Sequence, residues 1–304
     1  MTADKISLVF PCYNEEETIE LLYKEIVVTI NEMPEKFEII FVDDHSADRT
    51  REILKSMSEK DPRVKYFRLN KNSGSHTAIF AGLSNCTGDA AIVMAADLQD
   101  PPRFIPELIE QWRSGSKVVW GVRNSSPGIP SEIYYTAIKW FTAIKVPPMG
   151  TCLFLADRMA INALTSSPEK HTSVFMLLAW LGFDSSSITY HKDDRVAGTS
   201  KWTLDAKIKM FVDTMLAFSD MPIRYMSILG IGTAIGGILC SFAMVANFLM
   251  RGQTMPGWMM VLAAVLFVGG IQMTMLGLLG EYLWRTYDES RRRPRYVIES
   301  NSDS

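Results

Sequence analysis

Asp97, Gln99 and Asp100 stand in the stretch Gly88–Pro102, directly behind Ala90–Met94, a short apolar run with β-branched members. The run reads as a buried parallel strand, and Pro101-Pro102 forbids its continuation. Carboxylate and amide oxygens at the carboxyl end of such a strand suit a hard divalent cation that grips a diphosphate. Solvating a turn is the plainer use of the same aspartates, and these residues alone leave the two readings level. Cations that suit a diphosphate lie elsewhere in the chain. Arg123 follows the apolar run Lys117–Gly121 and can hold phosphate through two parallel donors. Arg195 and Lys201, six residues apart, flank Gly198 in RVAGTSKW, a segment suited to closing over a diphosphate. As a basic loop beside a membrane it would also attract anionic lipid.

These groups need a scaffold, and the pattern supplies one. Strand candidates at Lys5–Phe10, Phe37–Asp43, Val64–Leu69, Ala90–Met94 and Lys117–Gly121 alternate with helix candidates at Glu15–Asn31, Arg49–Glu59, Ser75–Asn85 and Phe104–Ser114. That alternation predicts an α/β domain with a mostly parallel sheet, whose ligands bind beyond the carboxyl ends of the strands. Polar residues gather at those ends. Tyr13, Asn14 and Glu15 follow the first strand, with Asn14 placed to cap the next helix. Asp43, Asp44, His45, Ser46 and Asp48 follow the second, where a carboxylate can accept from a ribose hydroxyl or a base N–H. Asn70–His76 follows the third, with Gly74 allowing close backbone approach. Arg123 and Asn124 follow the fifth. Any one of these fits an ordinary cap or turn, but four on one sheet edge point to a nucleotide site.

The 304 residues carry a net charge of −3, which excludes a general nucleic-acid binder. Cys12, Cys86, Cys152 and Cys240 show no C-x-x-C spacing and read as reduced structural thiols. The first residues pass straight into a strand candidate without an h-region, so no secretory signal is expected. Mean hydropathy is +0.06, and the apolar excess sits in the last third of the chain. Tyr225–Met250 and Gly252–Gly280 contain no charged residue, and each exceeds the about 20 residues that span hydrocarbon. With Arg251–Gly257 between them they predict a helical hairpin with both chain ends on one side. Arg285, Arg291, Arg292, Arg293 and Arg295 follow the second span, against one arginine in the connecting loop, which places that side in the cytoplasm. Glu281 and Arg285 are spaced for an i,i+4 ion pair. Glycines from Gly230 to Gly280 permit close helix contacts and self-association. Residues 129–146, rich in Tyr and Trp with Lys139 and Lys145, fit a buried core helix and a helix lying on the bilayer equally well, and the spans favour the second; Leu204–Ser219 reads as a helix lying on the bilayer.

Pro11-x-Tyr13-Asn14-Glu15, Val42-Asp43-Asp44-x-Ser46 and Asp97-Leu98-Gln99-Asp100-Pro101 together resemble family 2 glycosyltransferases. The nearer likeness is to the polyprenyl-phosphate branch, the bactoprenol glucosyltransferases and dolichyl-phosphate mannose synthases, and GGIQMTMLGLLGEY at 269–282 extends it through the C-terminal third. The resemblance implies a nucleotide-diphospho-sugar transferase (GT-A, Rossmann-like) fold. It assigns the donor to Pro11, Tyr13, Glu15, Val42, Asp44, Ala96 and Asp97, and a Mg²⁺ or Mn²⁺ ion to Asp97 and Gln99. Arg195 and Lys201 become the phosphate-binding loop, acting with Asp97 and Arg123 in catalysis. Two departures stand out. Ala95 replaces the first Asp of D-x-D, so the cation leans on Asp97, Gln99, the donor phosphates and water. The family's Gly-Asp-Phe-Arg stretch stands here as TCLFLADR at 151–158, which leaves Arg123, Ser200 and Arg158 as acceptor-side candidates.

The expected organisation is a cytoplasmic catalytic domain over residues 1–200 and an interfacial helix over 201–222. Two spans follow within 223–284, at about 225–250 and 257–281, and a basic tail over 285–304. The expected reaction is inverting transfer of a hexose from UDP-glucose to undecaprenyl phosphate at the bacterial inner membrane. Another sugar (mannose, GlcNAc or an aminosugar) on the same lipid and a non-catalytic nucleotide-sugar-binding scaffold are the alternatives. A processive polysaccharide synthase is disfavoured, because QWR at 111–113 does not match Q-x-x-R-W. The implied partners are the nucleotide sugar, the lipid phosphate, a flippase, a downstream transferase and further copies of the chain, a tetramer among the options.

Overall fold

Strands whose residues are apolar on both faces must be covered on both sides, and the helices that alternate with them supply the cover. The computed structural model describes residues 4–124, 153–167, 169, 172–191, 213–219, 221–251 and 257–302. Two compact units result, Met1–Phe211 with Pro294–Ser304, and Val212–Arg293.

The first unit is built on one eight-stranded sheet in the order β7-β5-β6-β4-β1-β2-β3-β8. Its strands are β1 (Lys5–Cys12), β2 (Lys36–Asp43), β3 (Val64–Leu69), β4 (Ala90–Val93), β5 (Val118–Arg123), β6 (Phe154–Asp157), β7 (Ser185–Tyr190) and β8 (Ile298–Asn301). Six run parallel, while β6 and β8 oppose their neighbours. The helices are α1 (Ile19–Asn31), α2 (Thr50–Lys60), α3 (Ser75–Asn85), α4 (Ile105–Arg113), α5 (Arg158–Ser166) and α6 (Val174–Trp180), with a 3₁₀ turn at Pro102–Phe104. In α1 the buried Ile19, Leu22, Ile26 and Ile30 repeat at helical spacing against the core. Close approach fixes α3. A Cβ on Gly82 would meet Val9 Cγ1 at 2.4 Å and Val42 Cγ2 at 3.1 Å, so only glycine lets this helix settle on β1 and β2.

Four differences from the sequence expectation matter for the site. Asn14 does not cap α1. It takes a left-handed conformation (φ 52°), accepts from the Ala47 amide at 2.8 Å, and leaves the helix to start four residues later behind Thr18. β5 runs on to Arg123, which makes that arginine the strand's last residue. β6 and the helices α5 and α6, unforeseen in the alternation, insert an antiparallel strand between β4 and β5. The stretch expected as a basic tail also divides. Helix continues to Ser290, and Ile298–Asn301 adds to the sheet edge because its extended backbone satisfies the exposed groups of β3.

The second unit holds a helical turn at 213–218 and two long helices, α7 (Met221–Arg251) and α8 (Gly257–Ser290). Large apolar side chains on both face outward, among them Ile231, Phe242, Trp258, Phe267 and Met273. Among the described residues, Met221–Cys240 is long and apolar enough to cross a membrane by length and composition. Arg285 binds Glu281 at 3.0 Å, the expected i,i+4 pair, and also Asp213 at 2.6 Å. Gly230 is the glycine that meets the opposite helix, with Met275 Sδ 3.6 Å from a Cβ placed there. A Cβ placed on Gly232, Gly236, Gly269, Gly270, Gly277 or Gly280 would meet nothing within 4 Å among the described residues. The helix expected over 129–146, the loop expected over 195–202 and residues 204–212 of the expected Leu204–Ser219 helix lie outside the described residues.

Candidate active site

The parallel ladder brings the carboxyl ends of β1, β2, β3, β4 and β5 to one edge. Cys12 pairs with Asp43 and Asp43 with Arg68, while Arg123 lies beside Tyr190. The loops beyond β1 and β2 are stitched together. The amides of Asn14, Glu15 and Glu16 donate to Ser46 Oγ (2.9 Å), Thr50 Oγ1 (2.9 Å) and Asp48 Oδ2 (3.2 Å). Thr18 Oγ1 donates to Glu15 Oε2 at 3.0 Å. Pro11, Tyr13 and Glu15 remain part-exposed on this edge, where a ring and a carboxylate can meet a base and a ribose.

Asp44 serves the loops first. Its two oxygens accept from the amides of Ser73 and Gly74, both at 2.7 Å, and so pin the β3–α3 loop. Burial pushes its carboxyl above the ordinary range, and the two amides only partly offset that. The Val42 side chain is fully buried beneath Gly82, so only its backbone is placed where a donor could meet it. The neighbouring Asp43 is equally buried and holds Arg68 Nη1 at 2.6 Å. Arg68 is a residue that sequence reasoning passed over. The available signal was an arginine set between Phe67 and Leu69 at the buried end of a strand, which requires a buried counter-charge.

Beyond β4 the chain turns sharply. Ala96 is buried, Leu98 adopts φ 59°, and the Gln99 amide donates to Asp97 Oδ1 at 3.2 Å. A bulky residue in the left-handed region is a true outlier, and such outliers gather at functional sites. Asn14, His45 and Leu98, three of the four such non-glycine residues described, all lie in loops on this one edge. Asp100, the other acid of the turn, is buried and accepts from the Tyr190 hydroxyl. It therefore braces the turn rather than facing a ligand. Asp97 and Gln99 are part-exposed.

Across the edge, Arg123 has a buried Nε without a hydrogen-bond partner among the described residues. An orphaned guanidinium nitrogen is the feature expected where an anion is bound. Among the described residues no three His, Cys, Asp or Glu side chains converge. One carboxylate and one amide oxygen nonetheless fit a divalent ion held largely by diphosphate oxygens and water, and the Arg123 guanidinium suits the diphosphate itself.

Arg158 is not brought to this edge. Its Nε donates to the Gly88 carbonyl at 2.8 Å and its Nη2 to the Cys86 carbonyl at 3.2 Å, both at the start of β4 and opposite Asp97. The reason is topological. β6 is antiparallel to β4, so a residue following β6 lands at the sheet's other end, and the acceptor-side expectation for Arg158 is corrected. Arg195, Ser200 and Lys201 lie outside the described residues.

Residues 7–162 match the signature of Glycosyl transferase family 2. The uncharacterized glycosyltransferase YkcC of Bacillus subtilis is 35% identical, over 97% of this chain and 93% of that protein. The bactoprenol glucosyl transferase of Shigella phage SfX is 33% identical over 97% of this chain and 99% of its own. The crystal structure of glucosyl-3-phosphoglycerate synthase from Mycobacterium tuberculosis with Mn²⁺, uridine-diphosphate and phosphoglyceric acid is similar, with a TM-score of 0.52. It is 20% identical and covers 70% of this chain and 76% of that one, a likeness of fold. A mostly parallel GT-A-like sheet with its polar loops on one edge, and relatives matched over nearly their whole length, lead to one conclusion: the chain belongs to glycosyl transferase family 2 and is a glycosyltransferase.

Proposed function

We propose that this glycosyltransferase moves glucose from UDP-glucose to undecaprenyl phosphate at the cytoplasmic face of the bacterial inner membrane, inverting the anomeric carbon. The observation that carries the reading is the extent of the likeness to the phage bactoprenol glucosyl transferase, which runs over 97% of this chain and so includes both long helices. A soluble donor, a cytoplasmic diphosphate site and a membrane anchor are joined by transfer onto a lipid phosphate. In this reading α7 and α8 form a two-span hairpin, with the catalytic unit and both chain ends inside.

The acceptor phosphate is already anionic, so little base catalysis is required. The protein's work is to align that phosphate opposite the leaving diphosphate and to stabilise the charge that develops. Tyr13 and Glu15 hold the nucleoside end. Arg123 meets the diphosphate, and Arg195 and Lys201 close over it. Asp97 and Gln99 would hold a Mg²⁺ or Mn²⁺ ion, which supplies Lewis-acid neutralisation of the leaving group. The product requires a flippase and a second transferase across the membrane.

Purified full-length protein with labelled UDP-glucose, Mg²⁺ or Mn²⁺ and undecaprenyl phosphate should yield a glucose-labelled lipid. Labelled GDP-mannose and UDP-GlcNAc serve as competing donors. No lipid-linked sugar from any donor would sink the reading. Ala95, standing where the resemblance has the first aspartate of D-x-D, favours one second reading, a nucleotide-sugar-binding scaffold without turnover. Such a protein binds UDP and transfers nothing.

A further inference from the structure

The chain leaves the α/β unit before Val212 and re-enters it at Pro294. The returning segment is held at three places. Arg295 lies 4.2 Å over the Phe80 ring and donates to the carbonyls of Glu169 (3.2 Å) and Thr172 (3.3 Å). Tyr296 packs edge-on against Phe80, and its hydroxyl accepts from Asn85 Nδ2 at 3.2 Å. Ile298–Asn301 then forms β8 against β3.

Glu299 is the residue that this ladder skips. Arg68 pairs with Ser300 and Leu69 with Ile298, so Glu299 sits in a bulge. Bulges redirect a side chain beside functional sites, and this one delivers the carboxylate to Arg68 Nε at 2.9 Å. The same guanidinium binds Asp43 Oδ2 at 2.6 Å and the Ser46 carbonyl at 3.3 Å. Ser46 closes the chain of contacts. Its amide donates to Asp43 Oδ1 at 2.8 Å, and its hydroxyl receives the Asn14 amide at 2.9 Å. A carboxylate from the far C-terminus is thus connected, through one arginine, to both loops expected to hold the nucleoside.

We propose that the returning tail is a working part of the donor site, with Glu299 acting through Arg68 as a positioning residue for the Asp43–Ser46 and Tyr13–Glu15 loops. The proposal rests on the nucleotide-sugar reading above. Arg68 and Asp43 are deeply buried and would pair without help, but one carboxylate leaves the guanidinium free to shift. Glu299 clamps it from the open side. Its own side chain is 39% exposed, so removing its charge leaves the buried pair and the fold intact.

Three full-length proteins in detergent test this: wild type, Glu299→Gln, and Ser300→Ala on the same strand. Glu299→Gln should raise the KM for UDP-glucose about threefold, the scale of one part-exposed ion pair, with kcat unchanged. Amide hydrogen exchange over residues 44–47 should quicken in the same variant. Ser300→Ala should match wild type in both. A strand that merely covers the sheet edge would lower the unfolding temperature and leave the ratio of KM to kcat alone. Unchanged exchange at 44–47, or an unchanged KM, overturns the proposal. Calorimetry with UDP and Mn²⁺ on the wild type separates the two readings. No binding there removes the nucleotide site itself, whereas binding with an unmoved Glu299→Gln removes only the role of the tail.

Discussion

Tyr190, the last residue of β7, donates its hydroxyl to Oδ1 of Asp100 across 90 residues of sequence, and both side chains are about 1% exposed. The bond ties the strand that leads toward Arg195 and Lys201 to the turn that carries Asp97 and Gln99. Tyr190→Phe keeps the ring and its 5.4 Å contact with Phe104 but takes a donor away from a buried carboxylate. A loss of about 1–3 kcal/mol in stability is expected, read as a lower unfolding midpoint. Turnover should also fall by about tenfold as the turn loosens. Normal kcat in a destabilised Tyr190→Phe protein would confine the bond to folding.

Asp97 is the one carboxylate left of the family's D-x-D pair. Asp97→Asn removes the charge at a part-exposed turn position and should leave the unfolding temperature nearly unchanged. Turnover should drop by about 10²–10³-fold, the scale of losing one preorganised electrostatic group. Ala95→Asp completes an Asp-x-Asp pair with Asp97, and should lower the Mn²⁺ concentration for half-maximal rate. Metal titrations of the three proteins check both effects. A rate indifferent to Asp97→Asn would remove Asp97 from the catalytic machinery.

The sheet was readable in the sequence because strands buried on both faces are nearly uninterrupted apolar runs, and Val64–Leu69 and Ser75–Asn85 carry the same limits in sequence and structure. Polar strand ends likewise identified the edge that holds Tyr13, Asp97 and Arg123. What escaped was set by long-range pairing. β6 is four residues long, too short for a period to register, yet it decides that Arg158 lies at the wrong end of the sheet. Asp43 and Asp44 are adjacent and alike in sequence. The fold gives one to Arg68 and the other to the Ser73 and Gly74 amides, a distinction that no local pattern encodes. Glu299 is reached only through a bulge that joins residues 231 apart.

Arg123 closes the far side of the site with a buried Nε that has no hydrogen-bond partner among the described residues. Arg123→Lys retains the charge and loses the planar fork, so it tests directional binding rather than net charge. The KM for UDP-glucose should rise by about tenfold in Arg123→Lys and further in Arg123→Gln, and Kd for UDP should follow by calorimetry. If Arg123→Gln binds UDP as tightly as wild type, the guanidinium faces the acceptor instead, and the defect will appear in the KM for undecaprenyl phosphate.

At the opposite end of the sheet, Glu38 shows how acid should unfold the α/β unit. Burial opposes its ionisation, but Ser7 Oγ (2.6 Å), the Thr87 amide (2.6 Å) and Lys5 (3.0 Å) outweigh it and hold the carboxyl at about 2. In the unfolded chain the same group takes up its proton near its ordinary 4.5. Between those values the unfolded state binds the proton first, so this contribution is complete above pH about 5 and is lost as pH falls toward 2. Its size is on the order of 3 kcal/mol. Glu38→Gln should therefore be less stable than wild type at pH 7 and show a flatter decline between pH 5 and 3, measured by denaturant unfolding in detergent. Parallel curves for the two proteins across that window would place the acid sensitivity in other carboxylates, Asp61 first, since its bonds to Arg63 also hold it at about 2.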